Sequence, residues 1–479
     1  MESQAASPPQ AGVGSAPPPA QEKDELRRSL SQRQLTMIAI GGAIGVGLFL
    51  GSGLTIQLAG PGVIISYLLG AAIAAVVSYC LAEMAVVHPF SGSFGIYAET
   101  YLSRWVGFCV RATYGLVQII AIGAEVTAVA IYFAYWFPHV RPWIWVFLVS
   151  LALVAINALQ VSNFGEFEYW FAAIKVLAIL IFIAVGVALI SGIGPRSAIG
   201  FQNLSRNGGF LPHGLKGVWL ALTLAITSYM GVEIIAVTSG EAKQPSKTIP
   251  NAMRAILFRL ILFYVLAISI TVAMNPWNEL GSGGLSASPF VRAFTAAGIP
   301  FAASIMNLVV ITAAISSANT NLYLSTRMLY SLSRGGFAPN WLGRLSGNGV
   351  PHRALALSTS GMLVAILLAI LAPHNAFLLL YGTAVAGMFF VWFVILLTHF
   401  RFRETIGRER VAQLPVKLPM HPWMTLAGLV AVLCIAGSTF WVDGLQYSIP
   451  AFAAFLLIET LIYFRRRKKQ DWTDLSLRS

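Results

Sequence analysis

Residues 38–53 read Ile38-Ala39-Ile40-Gly41-Gly42-Ala43-Ile44-Gly45-Val46-Gly47-Leu48-Phe49-Leu50-Gly51-Ser52-Gly53. The run is apolar enough for a membrane helix, yet it carries Gly41, Gly42, Gly45, Gly47, Gly51 and Gly53. Glycine in a helix is costly and exposes backbone, so the stretch from Gly41 to Gly47 is a natural place for the helix to unwind. Unwinding frees backbone groups. N–H groups around Val46 and Gly47, at the start of the half-helix that follows, would point positive dipole at an anionic group. Carbonyls at Gly41, Ala43 and Ile44 could receive an ammonium. Close helix packing through small residues four apart, Gly41/Gly45 and Gly47/Gly51, accounts for the same run equally well. A dinucleotide-binding turn does not, because no strand precedes it and no soluble domain surrounds it.

Of the 479 residues, 57% are hydrophobic and 10% charged, too few polar side chains to cover a soluble globule of this size. Apolar stretches of roughly 20 residues, long enough to cross a bilayer as helices, recur along nearly the whole chain. They centre on 36–58, 62–87, 105–136, 143–162, 167–192, 214–239, 253–274, 300–330, 354–372, 376–399, 422–442 and 445–464. The alternation of a β-barrel is missing. The fold class is therefore an all-α membrane protein of about twelve transmembrane helices. Residues 1–30, rich in Pro, Ala, Gln and Ser, are predicted to be a disordered cytoplasmic tail. The helical domain covers 31–465 and a second cytoplasmic tail 466–479.

The net charge of +13 sits in short connections between apolar runs, not on a stripe with interleaved aromatics, which argues against nucleic acid. Lys and Arg recur on alternate connections: Arg27, Arg28 and Arg33, then Lys243, Lys247, Arg334, Arg353, Arg401 and Arg403, then the run from Arg465 to Lys469. The positive-inside rule then places both termini in the cytoplasm. Cys80, Cys109 and Cys434 lie singly in apolar segments, the seven histidines lie in or beside loops, and no metal spacing occurs. No set of acid, base and nucleophile suggests an enzyme. The sixth span, reading Thr227-Ser228-Tyr229-Met230-Gly231-Val232-Glu233, has a polar cluster, a glycine and an acid at mid-depth, an irregularity like that of the first span. Breaks at corresponding positions of two five-helix halves fit an inverted repeat.

Residues 38–53, followed by Ala59-Gly60-Pro61-Gly62, resemble the opening of bacterial amino-acid permeases in the amino acid-polyamine-organocation superfamily. Further blocks agree in order: Leu81-Ala82-Glu83-Met84 with Pro89 and Gly92-Ser93-Phe94, Asn163 to Phe171 with Lys175, and Gly240 to Pro250. Ser316-Ser317-Ala318-Asn319, Arg327-Met328-Leu329-Tyr330 and Ala338-Pro339 extend the resemblance, which covers roughly 30–465. It implies a LeuT-like fold, two inverted five-helix halves plus two peripheral helices, with spans 1 and 6 broken around a central site. It implies proton-coupled import of an amino acid across the cell membrane by alternating access, or exchange on the same fold, with amino acid, protons and lipid as the partners and no cofactor.

By matching residue to residue, the resemblance assigns the substrate carboxylate to the N–H groups of Gly45, Val46 and Gly47. It assigns the amino group to the carbonyls of Ala43, Ile44 and Thr227. Many relatives have serine where this chain has Val46, so a hydroxyl contact is absent here. Ser228, Tyr229, Met230 and Gly231 complete the broken sixth span, and Tyr114, Ile122, Glu125 and Asn321 join the expected pocket.

Four ionisable residues, Glu83, Glu125, Lys175 and Glu233, lie deep in apolar spans, where a charge is costly enough to mark a functional candidate. Glu83, near a span end, is expected to be structural and to reach water. Glu233 reads either as a coupling carboxylate or as an acceptor for the free N–H groups of the second half-helix. The resemblance places Lys175 where sodium-coupled members of the fold hold a cation, with Gly41, Ile44, Ser316 and Ser317 as its partners.

Overall fold

The computed structural model describes residues 37, 44–89, 93–158, 161–193, 197–238, 245–281, 288–296, 301–347, 349–373 and 376–467. Gly41, Ala43, the tail 1–30 and residues 468–479 lie outside the described residues. Among those described the regular structure is helical, as apolar segments in lipid require, since a helix satisfies its own backbone hydrogen bonds. Among the described residues nine helical stretches are long and apolar enough to cross a membrane, and Pro142–Asn157 adds a shorter apolar helix. One of the nine, Gly51–Val87, has 37 residues. At 1.5 Å per residue it would run about 55 Å, far more than one crossing needs. It breaks at Gly60-Pro61-Gly62, where Gly60 has φ of 60°, a conformation glycine adopts freely. The first two predicted apolar runs meet at this turn.

In chain order the elements are α1 Val46–Phe49, α2 Gly51–Ala59, α3 Val63–Val87, α4 Ser93–Tyr101, α5 Arg104–Phe133, α6 Pro142–Asn157 and α7 Val161–Ser191. Then follow α8 Gly214–Ala225, α9 Ile234–Thr238, α10 Pro245–Arg259, α11 Ala267–Met274, α12 Trp277–Gly281, α13 Pro289–Ala296 and α14 Ala302–Arg334. The chain continues with α15 His352–Ser358, α16 Ser360–Leu371, α17 Ala376–Ile406, α18 Arg408–Ala412, α19 Trp423–Ser438 and α20 Ser448–Arg467. A wide-turned segment, Leu260–Leu266, joins α10 to α11.

Helix α5 is the centre of the molecule and packs along α14, α17, α4 and α16. Its crossing with α16 is backbone against backbone. A Cβ at Gly361 would lie 1.8 Å from the Ile119 carbonyl oxygen, and one at Gly123 would lie 2.8 Å from the Gly361 oxygen. Only small residues permit such an approach. On the periphery, Leu177 (59% exposed), Leu363 (64%) and Leu461 (60%) point outward, as residues facing lipid do.

Among the described residues the backbone is irregular at two places where the sequence predicts it. Ile44 and Gly45 are not helical, and Gly45 is extended before α1 begins at Val46. After α8 the chain tightens into a short 3-10 turn, Ile226–Tyr229, then leaves helical geometry through Met230 to Glu233 before α9. Gly231 has φ of 102°, which a side chain would strain.

Connections between helices gather at two ends. At one, Arg466 Nη1 donates to Phe337 O (2.8 Å) and Arg403 Nη2 to Leu418 O (3.1 Å). At the other, His213 Nδ1 meets Leu58 O (2.9 Å) and Trp277 Nε1 donates to Asn207 O (3.1 Å).

The structure corrects the reading of the buried charges. Glu83 is fully buried and does not reach water. Its carboxylate accepts from Arg403 Nε (2.7 Å), Arg403 Nη2 (2.5 Å) and the Leu418 N–H, and pairs with His399 Nε2 (3.0 Å). This two-pronged arginine contact clamps α3 to α17 and to the chain beyond it. His399 is thus inside a helix and not beside a loop. His421 follows in that connection; burial, then the nearby His399 and Arg403, lowers its pKa to about 4, so it adds no charge to the clamp near neutral pH. Arg111, Glu168, Arg259 and Glu459 are further buried ionisable groups that apolar periodicity alone did not single out. Arg111 is paired with Glu99 and lies 4.7 Å from the centre of the Phe337 ring, as a buried cation requires.

Candidate functional site

The two irregular stretches of backbone face each other across one cavity. Gly45, Val46 and Gly47 form one wall, Thr227, Ser228, Met230 and Gly231 a second, and α5, α14 and α17 close the rest. It encloses about 740 Å³ of space between atoms, counted out to its open mouth.

Glu125 on α5 reaches into this cavity. Its Oε1 accepts from Ser317 Oγ (2.6 Å), and its Oε2 accepts from the Val46 N–H at 3.4 Å. The N–H at the start of α1 therefore already faces a carboxylate, the interaction that the helix dipole favours. Gly45 leaves room for it, since a Cβ there would lie 2.6 Å from both Glu125 Oε1 and Ser317 Oγ. Gly47 brings the α1 backbone against the second broken helix: a Cβ would lie 3.2 Å from Ser228 Cα and 3.5 Å from the Tyr381 hydroxyl. Thr227 Oγ1 and the Tyr381 hydroxyl are hydrogen-bonded to each other, joining the second interruption to α17.

A second polar cluster lies behind α1. Lys175, fully buried on α7, donates from Nζ to Ser316 Oγ (2.8 Å) and to Ile44 O (3.3 Å). Ser316 Oγ donates to Glu168 Oε1 (2.5 Å), which lies 3.7 Å from Lys175 Nζ. Ser316 and Ser317 are neighbours on α14, one facing the lysine and the other facing Glu125, so a single turn of α14 links cluster and cavity. Glu233 stands apart: its Oε1 accepts from the Gly231 N–H (2.9 Å) and the Tyr114 hydroxyl (3.3 Å).

Of the residues expected from sequence, Gly45, Val46, Gly47, Glu125, Thr227, Ser228, Met230, Gly231, Ser317 and Asn321 line the cavity. Ile44 does not; its carbonyl serves Lys175. Tyr229 does not either, because its hydroxyl donates to Tyr67 O (2.6 Å). Tyr114 and Ile122 also lie off the lining, and Gly41 and Ala43 fall outside the described residues. Gln118, Thr320 and Tyr381 line the cavity without having been expected. Glu168 had a legible signal, an acid two helical turns before Lys175 on the same face.

The amino acid permease family model matches residues 34–473. The uncharacterized amino acid permease YtnA of Bacillus subtilis (strain 168) is 40% identical over 410 residues, 85% of this chain and 88% of the relative. The gamma-aminobutyric acid permease of the same organism is 36% identical over 455 residues, 94% of this chain and 96% of its own length. Its probable threonine/serine transporter YbxG is 38% identical over 443 residues, 92% and 95% respectively.

Proposed function

This chain belongs to the amino acid permease family, and from that premise we propose that it imports an amino acid by proton symport with alternating access. It is a multi-pass membrane transporter and not an enzyme. In this reading the helices form twelve spans, two inverted five-helix halves and two peripheral spans, with α1–α2 and α8–α9 as the broken first and sixth. The Lys and Arg pattern puts both termini in the cytoplasm of a cell whose surface membrane holds the protein.

The substrate carboxylate takes the N–H groups of Gly45, Val46 and Gly47, displacing Glu125 from its long contact with Val46. The amino group takes backbone carbonyls, among them Thr227, which also accepts from the Met230 N–H at 3.2 Å. Gln118, Thr227 and Asn321 beside Val117, Leu324 and Met388 suit a small uncharged side chain. The named substrates of two relatives, γ-aminobutyric acid, which bears no side chain, and threonine or serine, are small molecules.

The observation that carries the coupling is the Lys175 ammonium, which joins the Ile44 carbonyl, just before α1, to Ser316, at the position where the resemblance places the cation of sodium-coupled members. A titrating amine there replaces a metal cation with a proton. Uptake into sodium-free proteoliposomes should therefore follow an inward proton gradient at the rate seen with sodium present; uptake that strictly requires sodium would reject the proposal.

A further inference from the structure

We infer that Glu168 is the fixed counter-charge of Lys175, so that the coupling group is a carboxylate–ammonium pair ordered by Ser316. This rests on the proposed coupling role of Lys175 and adds the residue that positions it. Both side chains have no solvent exposure, and both come from α7. Ser316 of α14 bridges them, accepting from Lys175 Nζ at 2.8 Å and donating to Glu168 Oε1 at 2.5 Å. Asn319 and Thr320, one turn further along α14, also face the carboxyl. The other charged groups that act on Lys175 are Glu125 from α5 and Arg259 at the end of α10.

A lone ammonium at this depth would be an uncompensated buried charge, whereas the pair is neutral as a unit. The ammonium has three protons to give. Two are directed at Ile44 O and Ser316 Oγ, and the carboxylate at 3.7 Å supplies the charge that keeps them there. Glu168 is thus a positioning residue, acting on the transported proton through Lys175 and Ser316 without touching substrate.

The test is a double-substitution cycle with Lys175→Met, Glu168→Gln and the pair together, read by the thermal midpoint of the purified protein and by the pH profile of uptake in proteoliposomes. Each single change should lower the midpoint by several degrees, because it strands one buried charge. The double change should recover most of the loss. Glu168→Gln keeps the amine and should still concentrate substrate, but its pH profile of uptake should depart from that of the wild type, since the fixed charge beside the amine is gone. Glu168→Asp should restore the profile.

A wild-type pH profile in Glu168→Gln, or a double variant whose loss equals the sum of the single losses, overturns the inference. If Glu168→Gln cannot be recovered folded, a folded double variant supports the pairing and its absence overturns it. Lys175→Met that still concentrates substrate would instead reject the coupling role, leaving the stability cycle to judge the pair.

Discussion

Lys175→Met should abolish concentrative uptake while leaving gradient-free exchange at a measurable fraction of the wild-type rate. Methionine keeps the apolar stem and removes the amine, so Ile44 O and Ser316 Oγ lose their donor. Each buried acceptor left unpaired costs about 1–3 kcal/mol, enough to loosen the attachment of the backbone just before α1 to α7 and α14. The substrate's proposed contacts lie on the other side of α1 and on Thr227 to Gly231, so binding is affected only indirectly. A gradient can drive accumulation only through a group whose protonation changes the balance between conformations. The measurement is the accumulation ratio under a fixed pH gradient beside exchange in the same proteoliposomes. Wild-type accumulation with unchanged pH dependence would make Lys175 structural and move attention to Glu125 and Glu233.

Gly47→Val should give a folded, normally inserted protein that binds substrate about five- to 150-fold more weakly. The first added carbon would already sit 3.2 Å from Ser228 Cα, a backbone atom that cannot swing aside, and 3.5 Å from the Tyr381 hydroxyl. Two further methyl groups must then enter the cavity or push α1 from the second broken helix. Overpacking of this kind costs about 1–3 kcal/mol, which as lost binding energy is about five- to 150-fold in Kd. The penalty falls at the carboxylate seat, so it should appear in binding and not in yield or thermal midpoint. Wild-type affinity measured by calorimetry on the purified variant would return Gly47 to a packing role.

Both variants were chosen on residues that the sequence makes conspicuous, and the reason is physical. Glycines in an apolar run and a lysine two turns inside a helix contradict their surroundings, and a contradiction is visible without coordinates. The interruption at Met230–Glu233 was legible for the same reason, through Gly231. What could not be read was the direction in which side chains leave an irregular backbone. Ile226–Tyr229 winds with about three residues per turn, not 3.6. That change of period carries Tyr229 away from the cavity toward Tyr67. Partnerships across long sequence distance were equally hidden: Glu83 meets His399 and Arg403 only because α3 and α17 pack together. Tyr381 joined the cavity in the same way, by the approach of α17 to Thr227.

The crossing of α5 and α16 has a practical use. Where the Gly361 backbone rests on the Ile119 carbonyl there is no cushion of side chains to compress or shear, so these two helices keep one spacing whatever the rest of the bundle does. Spin labels at Tyr135, just past α5, and at Leu371, the last residue of α16, are 53% and 71% exposed and would form an internal ruler. Their separation should be the same with and without substrate. A third label at Leu215 on α8, 74% exposed, should then change its distance to both, reporting how far the broken helix travels against a scale built into the protein itself.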